Sequence, residues 1–453
     1  MPAELKPTVP SWWRWEGILG PLGRRRGLAF LTLVLALAGA LALWYPHLIG
    51  QWAWGQAQRA LAQDDLEAAR GHLEYCARVW PTSSQTRLLL ARTCRRLDDL
   101  DKARQHLRLL DPLVGQHEGV DLEWLMLQAQ AGEIHQVEKT LVQHLIVGHV
   151  DEPLILEALV KGYVRSQFLG KAETWATAWI ERYPDDWQAY YLRGQAYELR
   201  PLLQKAAEDY EKALELRPDH FDAHLRLGDV LYRSGLARLA LPHLTYCHER
   251  RPDHADVAIK LARVYQELRQ MEKMRDVLAP WIAEDKAEQT PLPRFQRALL
   301  YMLQARADLH FHGPDKALAW LRRAEKHMPR EEETLVMLST VLRELGQLEE
   351  AEKYRLLARD VHKRYQERDE TVKQVRSAPD DLELRLKVAR ILLYLGFDEE
   401  ALGWYSGILE LDSQYVPALR DLANYYLERG NHELARRYNL AAEGKLRAIV
   451  EPK

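Results

Sequence analysis

The side chains best equipped for chemistry are 17 histidines and three cysteines, Cys76, Cys94 and Cys247. Their spacing decides what they could do. His220 and His224 stand four apart, as do His243 and Cys247, and His310 and His312 form an H-x-H pair. Each pair could chelate an ion, but none has a third ligand at zinc-site spacing, and H-E-x-x-H does not occur. No two cysteines form C-x-x-C, so buried small residues are the default reading. G-x-S-x-G, a phosphate loop and a dinucleotide fingerprint are also missing. The sequence thus assigns no catalytic residue, metal or cofactor, and the expectation is a non-enzyme.

Helices must position whatever these residues do. The 453-residue chain is rich in Ala, Leu, Arg and Glu, all good helix formers. That length exceeds one ordinary core and suggests a helical solenoid. With 63 basic and 66 acidic residues the net charge is −3, unlike a nucleic-acid binder. No small-molecule substrate is evident.

Residues 28–44 read LAFLTLVLALAGALALW, without a charge. With Leu48 and Ile49 the stretch approaches the roughly 20 residues of a membrane-spanning helix. Arg24, Arg25 and Arg26 precede it, and the next basic side chain apart from His47 is Arg59. The positive-inside rule then leaves residues 1–26 cytoplasmic, residues 27–49 as a single-pass anchor, and the remainder on the outer, periplasmic-type face of a cell membrane. Trp44, Tyr45, Trp52 and Trp54 would suit the far interface. Two other readings stay open: a cleaved signal peptide, with Ala38, Ala40 and Ala42 offering cut sites, and a buried soluble helix.

Residues 187–220 and 221–254 are both 34 long, and both end in RPDH. Gly194 aligns with Gly228, Ala206 with Ala240, Tyr210 with Leu244, and Pro218 with Pro252. This frame resembles the tetratricopeptide repeat: small residues at positions 8 and 20, large ones at 11 and 24, and often Pro at 32. Small residues let two helices approach closely, and Pro breaks the second helix. The frame extends to copies near 50, 84, 118, 153, 255, 298, 332, 382 and 416, with 118–149 a weak copy because of Trp124 and Leu125. The expected fold is all-α: a right-handed α-solenoid of about eleven helix-turn-helix repeats after one transmembrane helix.

Breaks divide it into a first block at 50–282, an irregular linker at 283–297, a second block at 298–365, a charged helical linker at 366–381, a third block at 382–446 and a tail at 447–453. Cys76 and Cys94 fall at positions 27 and 11 of adjoining copies, so a disulfide is conceivable on an oxidising side of a membrane.

The resemblance implies a concave face lined at positions 2, 5, 9, 12 and 13. It nominates Tyr191, Gln195, Asp229, Tyr232, Arg233, Arg263 and Gln266 for contact with protein or peptide partners. Glu198, Asp222, Asp256 and Glu267 lie on the same face. A carboxylate clamp is not implied, since only Asn424 stands at position 9, with Arg420 at position 5. The layout is similar to membrane-anchored repeat proteins that regulate envelope lipopolysaccharide assembly, but it lacks their paired C-x-x-C module. It also lacks the second membrane helix of those associated with haem synthesis. The leading expectation is a membrane-anchored scaffold. An enzyme subunit with a cryptic metal site and a secreted soluble adaptor are the alternatives.

Overall fold

The structure, a computed structural model, describes residues 44–115, 117–283 and 286–444. Most of the expected anchor, at 27–43, lies outside them, as does the tail. Among the described residues, no helix is long and apolar enough to cross a membrane, and no strand occurs. The chain forms two compact units, meeting in sequence at Glu123 and Trp124.

Helices follow one another in eleven successive pairs, the first helix of each being A and the second B. In the first unit, α1 (44–62) is followed by α2 (Leu66–Val79), then α3 (Ser84–Arg96) by α4 (Leu100–Val114). The unit boundary falls inside α5 (Glu118–Ala131), which precedes α6 (Ile134–Ile146). The second unit continues with α7 (Glu152–Arg165) and α8 (Leu169–Arg182), α9 (Trp187–Leu199) and α10 (Leu203–Leu216), then α11 (Phe221–Arg233) and α12 (Ala237–Arg250). Next come α13 (Ala255–Glu267) and α14 (Met271–Ile282), the single-turn α15 (Lys286–Gln289), then α16 (Arg294–Phe311) and α17 (Pro314–His327). The last are α18 (Glu332–Glu344) and the long α19 (Leu348–Ser377), α20 (Leu382–Leu395) and α21 (Asp398–Leu411), and α22 (Val416–Glu428) and α23 (His432–Ala442).

Local chemistry explains the starts. Asp65, Ser83, Asp99, Asp186, Asp381 and Asn431 cap their helices by accepting a backbone N–H. His220 and His254 do the same through Nδ1, for Ala223 N at 3.0 Å and Val257 N at 3.4 Å. The recurring RPDH is therefore a helix stop followed by an imidazole cap. Around 283–297, Pro293 lets α16 begin at Arg294, four residues before the small-residue frame at 298. Arg297 ties the loop down, its Nε donating to Ala287 O at 2.8 Å and Nη2 to Thr290 O at 3.0 Å.

Small residues hold the pairs together. Ala57, Ala91, Ala262, Ala305 and Ala389, at position 8, are wholly buried, as are Ala69, Ala172, Ala206, Ala240, Ala317 and Ala401 at position 20. A Cβ on Gly228 would lie 2.7 Å from Leu244 Cγ, and one on Gly194 would lie 2.8 Å from Tyr210 Cε1. Cys76, Cys94 and Cys247 are buried free thiols, so the conceivable Cys76–Cys94 bridge is not formed. Cys76 Sγ donates to Gly50 O at 3.5 Å, and burial pushes the Cys94 thiol up to about 11.

The second unit closes on itself. α21 returns to the A–B turns near α6 and α8, presenting Gly403, Ser406, Gly407 and Glu410 along one helical face. A Cβ on Gly407 would sit 2.6 Å from Ser166 O, and one on Gly132 would sit 2.6 Å from Ser406 Oγ. Glu410 Oε1 accepts the backbone N–H of His135 at 2.6 Å, and Oε2 accepts Ser166 Oγ–H at 2.9 Å. Glu133, the N-cap of α6, makes no side-chain cap bond, so Glu410 caps that helix from 275 residues away. Arg385, fully buried, donates through Nη1 to Ser166 O at 3.2 Å and lies 3.9 Å over the Phe168 ring. At the end of α19, Arg376 Nη2 donates to Arg200 O at 3.0 Å.

Two predictions follow from this packing. Gly228→Val should cost about 1–3 kcal/mol by overpacking, lowering the thermal midpoint; an unchanged midpoint would contradict the close contact. Burial, opposed by the His135 and Ser166 bonds and by Arg385, and aided by Glu133, lifts Glu410 from 4.5 to about 7. A folded state that holds this proton more tightly gains stability below pH 4.5 and loses it as pH rises through about 7. Wild type minus Glu410→Gln should therefore change by on the order of 2–3 kcal/mol across that window, as read from urea midpoints at pH 4.5 and 7.5. Parallel pH profiles for the two proteins would refute it.

Candidate binding surface

The A helices α9, α11 and α13 place the sequence-nominated residues on adjoining turns, because positions 5, 9 and 12 fall on one helical face. Tyr191 is half-buried. Its ring lies 5.7 Å from Tyr210, 6.0 Å from Trp187 and 5.2 Å from His220. Burial pushes its phenol up to about 12, against the opposing pull of Arg226. The hydroxyl therefore stays protonated near neutrality. Gln195, Tyr232 and Gln266 are half-buried on the same A helices. Burial also raises the Tyr232 phenol, ahead of the nearby Arg263, Glu333, Glu267 and Arg306 charges.

The charged nominees belong to a ladder of ion pairs running from repeat to repeat. Glu198 accepts Tyr210 OH at 2.9 Å and lies 3.0 Å from Arg233 and 3.5 Å from Arg226. Arg233 reaches Asp229 at 3.6 Å, Asp229 meets Lys260 at 2.9 Å, and Lys260 meets Asp256 at 3.6 Å. A second group joins three A helices: Glu333 of α18 pairs with Arg263 of α13 at 3.4 Å and with Arg306 of α16 at 2.6 Å. Arg226 remains 46% exposed at its side chain. Burial lowers its affinity for the proton, but Glu198, Tyr191 and Tyr210 together outweigh this and raise it.

Arg226 and Lys260 were not nominated, since both stand at position 6. The signal was in the sequence: Lys387 occupies the same position in the copy at 382. Lys387 lines a groove of about 680 Å³ between α19, α20 and α22, with Arg364, Glu367, Arg390, Tyr394 and Tyr415. There too the charges are matched. Glu367 lies 3.0 Å from Lys387 and 3.1 Å from Arg364, and Arg390 lies 2.6 Å from Asp421. The Lys387 hydrogen bond holds the Glu367 carboxyl below its usual range, against the effect of burial. Such half-exposed pairs are individually weak, so a partner's charges can replace them at small cost.

The histidine pairs serve the helices. His312 Nδ1 lies 2.8 Å from Asp308 Oδ1, and His243 Nδ1 lies 2.9 Å from His224 Nδ1, so one ring of that pair donates to the other. Cys247 Sγ donates to Phe221 O at 3.5 Å.

Glu198→Ala should destabilise by about 1–2 kcal/mol, because it removes the acceptor of the buried Tyr210 hydroxyl, the half-exposed arginine pairs adding little. Asp256→Ala, at the end of the ladder, should cost under about 1 kcal/mol. Hydrogen exchange of α10 and α11 amides should separate the two variants; equal losses would mean that the ladder has no centre.

A tetratricopeptide repeat model matches residues 55–117, and a TPR repeat model matches residues 203–235. No curated protein gives a match. Among solved structures, yeast Tom70 is 12% identical, with 75% of this chain and 92% of that one covered and a TM-score of 0.36. A tetratricopeptide repeat protein from Parabacteroides merdae is 16% identical, over 65% and 99% of the two chains, with a TM-score of 0.32. PilF of Pseudomonas aeruginosa is 15% identical, over 52% and 97%, with a TM-score of 0.33. These likenesses are too distant to carry a function across. Residues 55–117 and 203–235 thus match tetratricopeptide repeat models, and the described residues form an all-helical solenoid of paired helices.

Proposed function

We propose that the chain is a membrane-anchored scaffold that binds a protein or peptide through the A-helix face of its second unit. The observation that carries this reading is the lining of that face: aromatic side chains set among charges already paired in both signs. A polypeptide partner supplies both an apolar surface for Tyr191 and Tyr232 and charges to exchange with Asp229, Arg233 and Arg263. The site gathers no nucleophile with a base, which suits binding rather than turnover.

The anchor reading rests on the sequence: an uncharged run at 28–44 after three arginines. It sets residues 27–49 in a cell membrane, the N-terminus in the cytoplasm and the repeats on the outer face. The partner is then a protein of that face or of the membrane itself.

The test is affinity capture from detergent-solubilised native membranes, using full-length protein and a Tyr191→Ala, Arg233→Glu, Arg263→Glu variant. A stoichiometric partner should be captured by the wild type and fall at least about ten-fold with the variant, a loss of roughly 1.4 kcal/mol or more. Circular dichroism should remain unchanged. Equal capture by both would remove this face as the binding surface.

A further inference from the structure

The first described helix carries two unlike faces. Gly50, Ala53, Ala57 and Ala60 are buried and pack toward α2. A Cβ on Gly50 would lie 2.9 Å from Trp80 Cζ2, and Trp80 Nε1 donates to His47 Nδ1 at 3.1 Å. At about 100° per residue, the other face gathers Trp44, Tyr45, Leu48 and Trp52, exposed to 70, 63, 56 and 60%, with one edge of Trp52 resting against His72 of α2 at 5.7 Å. That arc spans roughly 100° and is centred roughly 145° from the buried stripe. Exposed Arg59 falls on the same arc one turn beyond Gly55. Trp54, partly buried, points elsewhere and leaves the set.

Four large apolar side chains in one exposed arc need a cover. The sequence supplies its chemistry: the arc begins where the uncharged run at 28–43 ends. Tryptophan and tyrosine favour the headgroup layer, where an apolar ring and a polar edge are both satisfied, and arginine there pairs with lipid phosphate. Geometry then fixes the tilt. The headgroup layer is only about 5–8 Å deep on each side, whereas Trp52 lies about 12 Å along the helix from Trp44. A helix standing upright would leave Trp52 in water.

We propose that α1 lies obliquely in the headgroup layer of the bilayer, with Trp44, Tyr45, Leu48 and Trp52 facing lipid and Arg59 meeting phosphate, so that the first repeat docks on the membrane surface. The inference rests on the anchor reading above. Because α1 is also the A helix of the first repeat, no linker separates the docking face from the repeat core. The orientation of the first repeat would thus be set by the bilayer, unlike that of a domain on a flexible tether.

Full-length protein in vesicles of phosphatidylcholine and phosphatidylglycerol tests this. A nitroxide is attached at Trp52→Cys or, as a control at the start of α2, at Glu67→Cys; unsubstituted protein gives the background from the three buried cysteines. Oxygen should relax the label at position 52 severalfold more efficiently, relative to an aqueous nickel chelate, than the label at position 67. A Trp44→Ser, Leu48→Ser variant should abolish that difference while keeping the helical circular dichroism. Equal chelate access at 52 and 67 in protein that resists alkaline carbonate extraction would overturn the docking and leave the anchor standing. Release of the protein by carbonate would overturn both.

Discussion

Most pairs of helices depend on one steric constraint: two backbones must approach to the distance that only glycine, alanine or another small residue allows. Position 8 of helix A meets the B helix, and position 20 of helix B faces back. Gly228 sits under Leu244 and Gly194 under Tyr210, with no room for a Cβ. The large partner at position 24 can fill the groove only because position 8 is empty. Once that contact is fixed, the crossing of A and B is fixed as well, and each turn hands the next pair the same geometry. A repeat is therefore less a sequence than a spacing of small residues.

Consistency of the inner face follows from the same constraint. Because the A helices are held at a common rotation, position 9 of one copy, Asp229, comes within reach of position 6 of the next, Lys260. The Arg226–Glu198 pair joins positions 6 and 12 in the same way. Charges matched across neighbouring repeats resist splaying and keep the face polar without leaving it charged. That balance is what an exchange surface requires: a fixed excess of one sign would select ligands by charge alone, whereas paired charges yield to whichever partner satisfies them geometrically.

What was legible in the sequence is what recurs. The positions of Gly194, Ala206, Gly228 and Ala240 announced the close contacts, and Pro218 and Pro252 announced the stops. The nominated residues of α9, α11 and α13 share one face because the repeat has a period. The cations at position 6 escaped because the family's concave positions drew attention away from them, although their own recurrence was visible. His220 looked like a potential ligand because a histidine acting as a cap uses the same lone pair as one bound to metal. The clasp could not be read at all. Ser166 and Glu410 are 244 residues apart, no motif links them, and their meeting is a sum of small rotations over several repeats rather than a property of either neighbourhood.

That accumulated meeting changes what kind of object the second unit is. An open stack of repeats bends easily, since each repeat touches only its neighbours and small deflections add up. Glu410, Arg385 and Gly407 introduce contacts that skip most of the intervening repeats, and Arg376 adds another at Arg200. A deflection anywhere along α9 to α18 must now strain those contacts, so the A-helix face between them is held at one curvature. The clasp is built of a half-buried carboxyl and a buried guanidinium rather than apolar residues. Their hydrogen bonds to His135 N, Ser166 Oγ and Ser166 O are directional, so the closed form favours one register over its neighbours. The A-helix face thus inherits its shape from an edge that does not line it, and residues far from that face set its curvature.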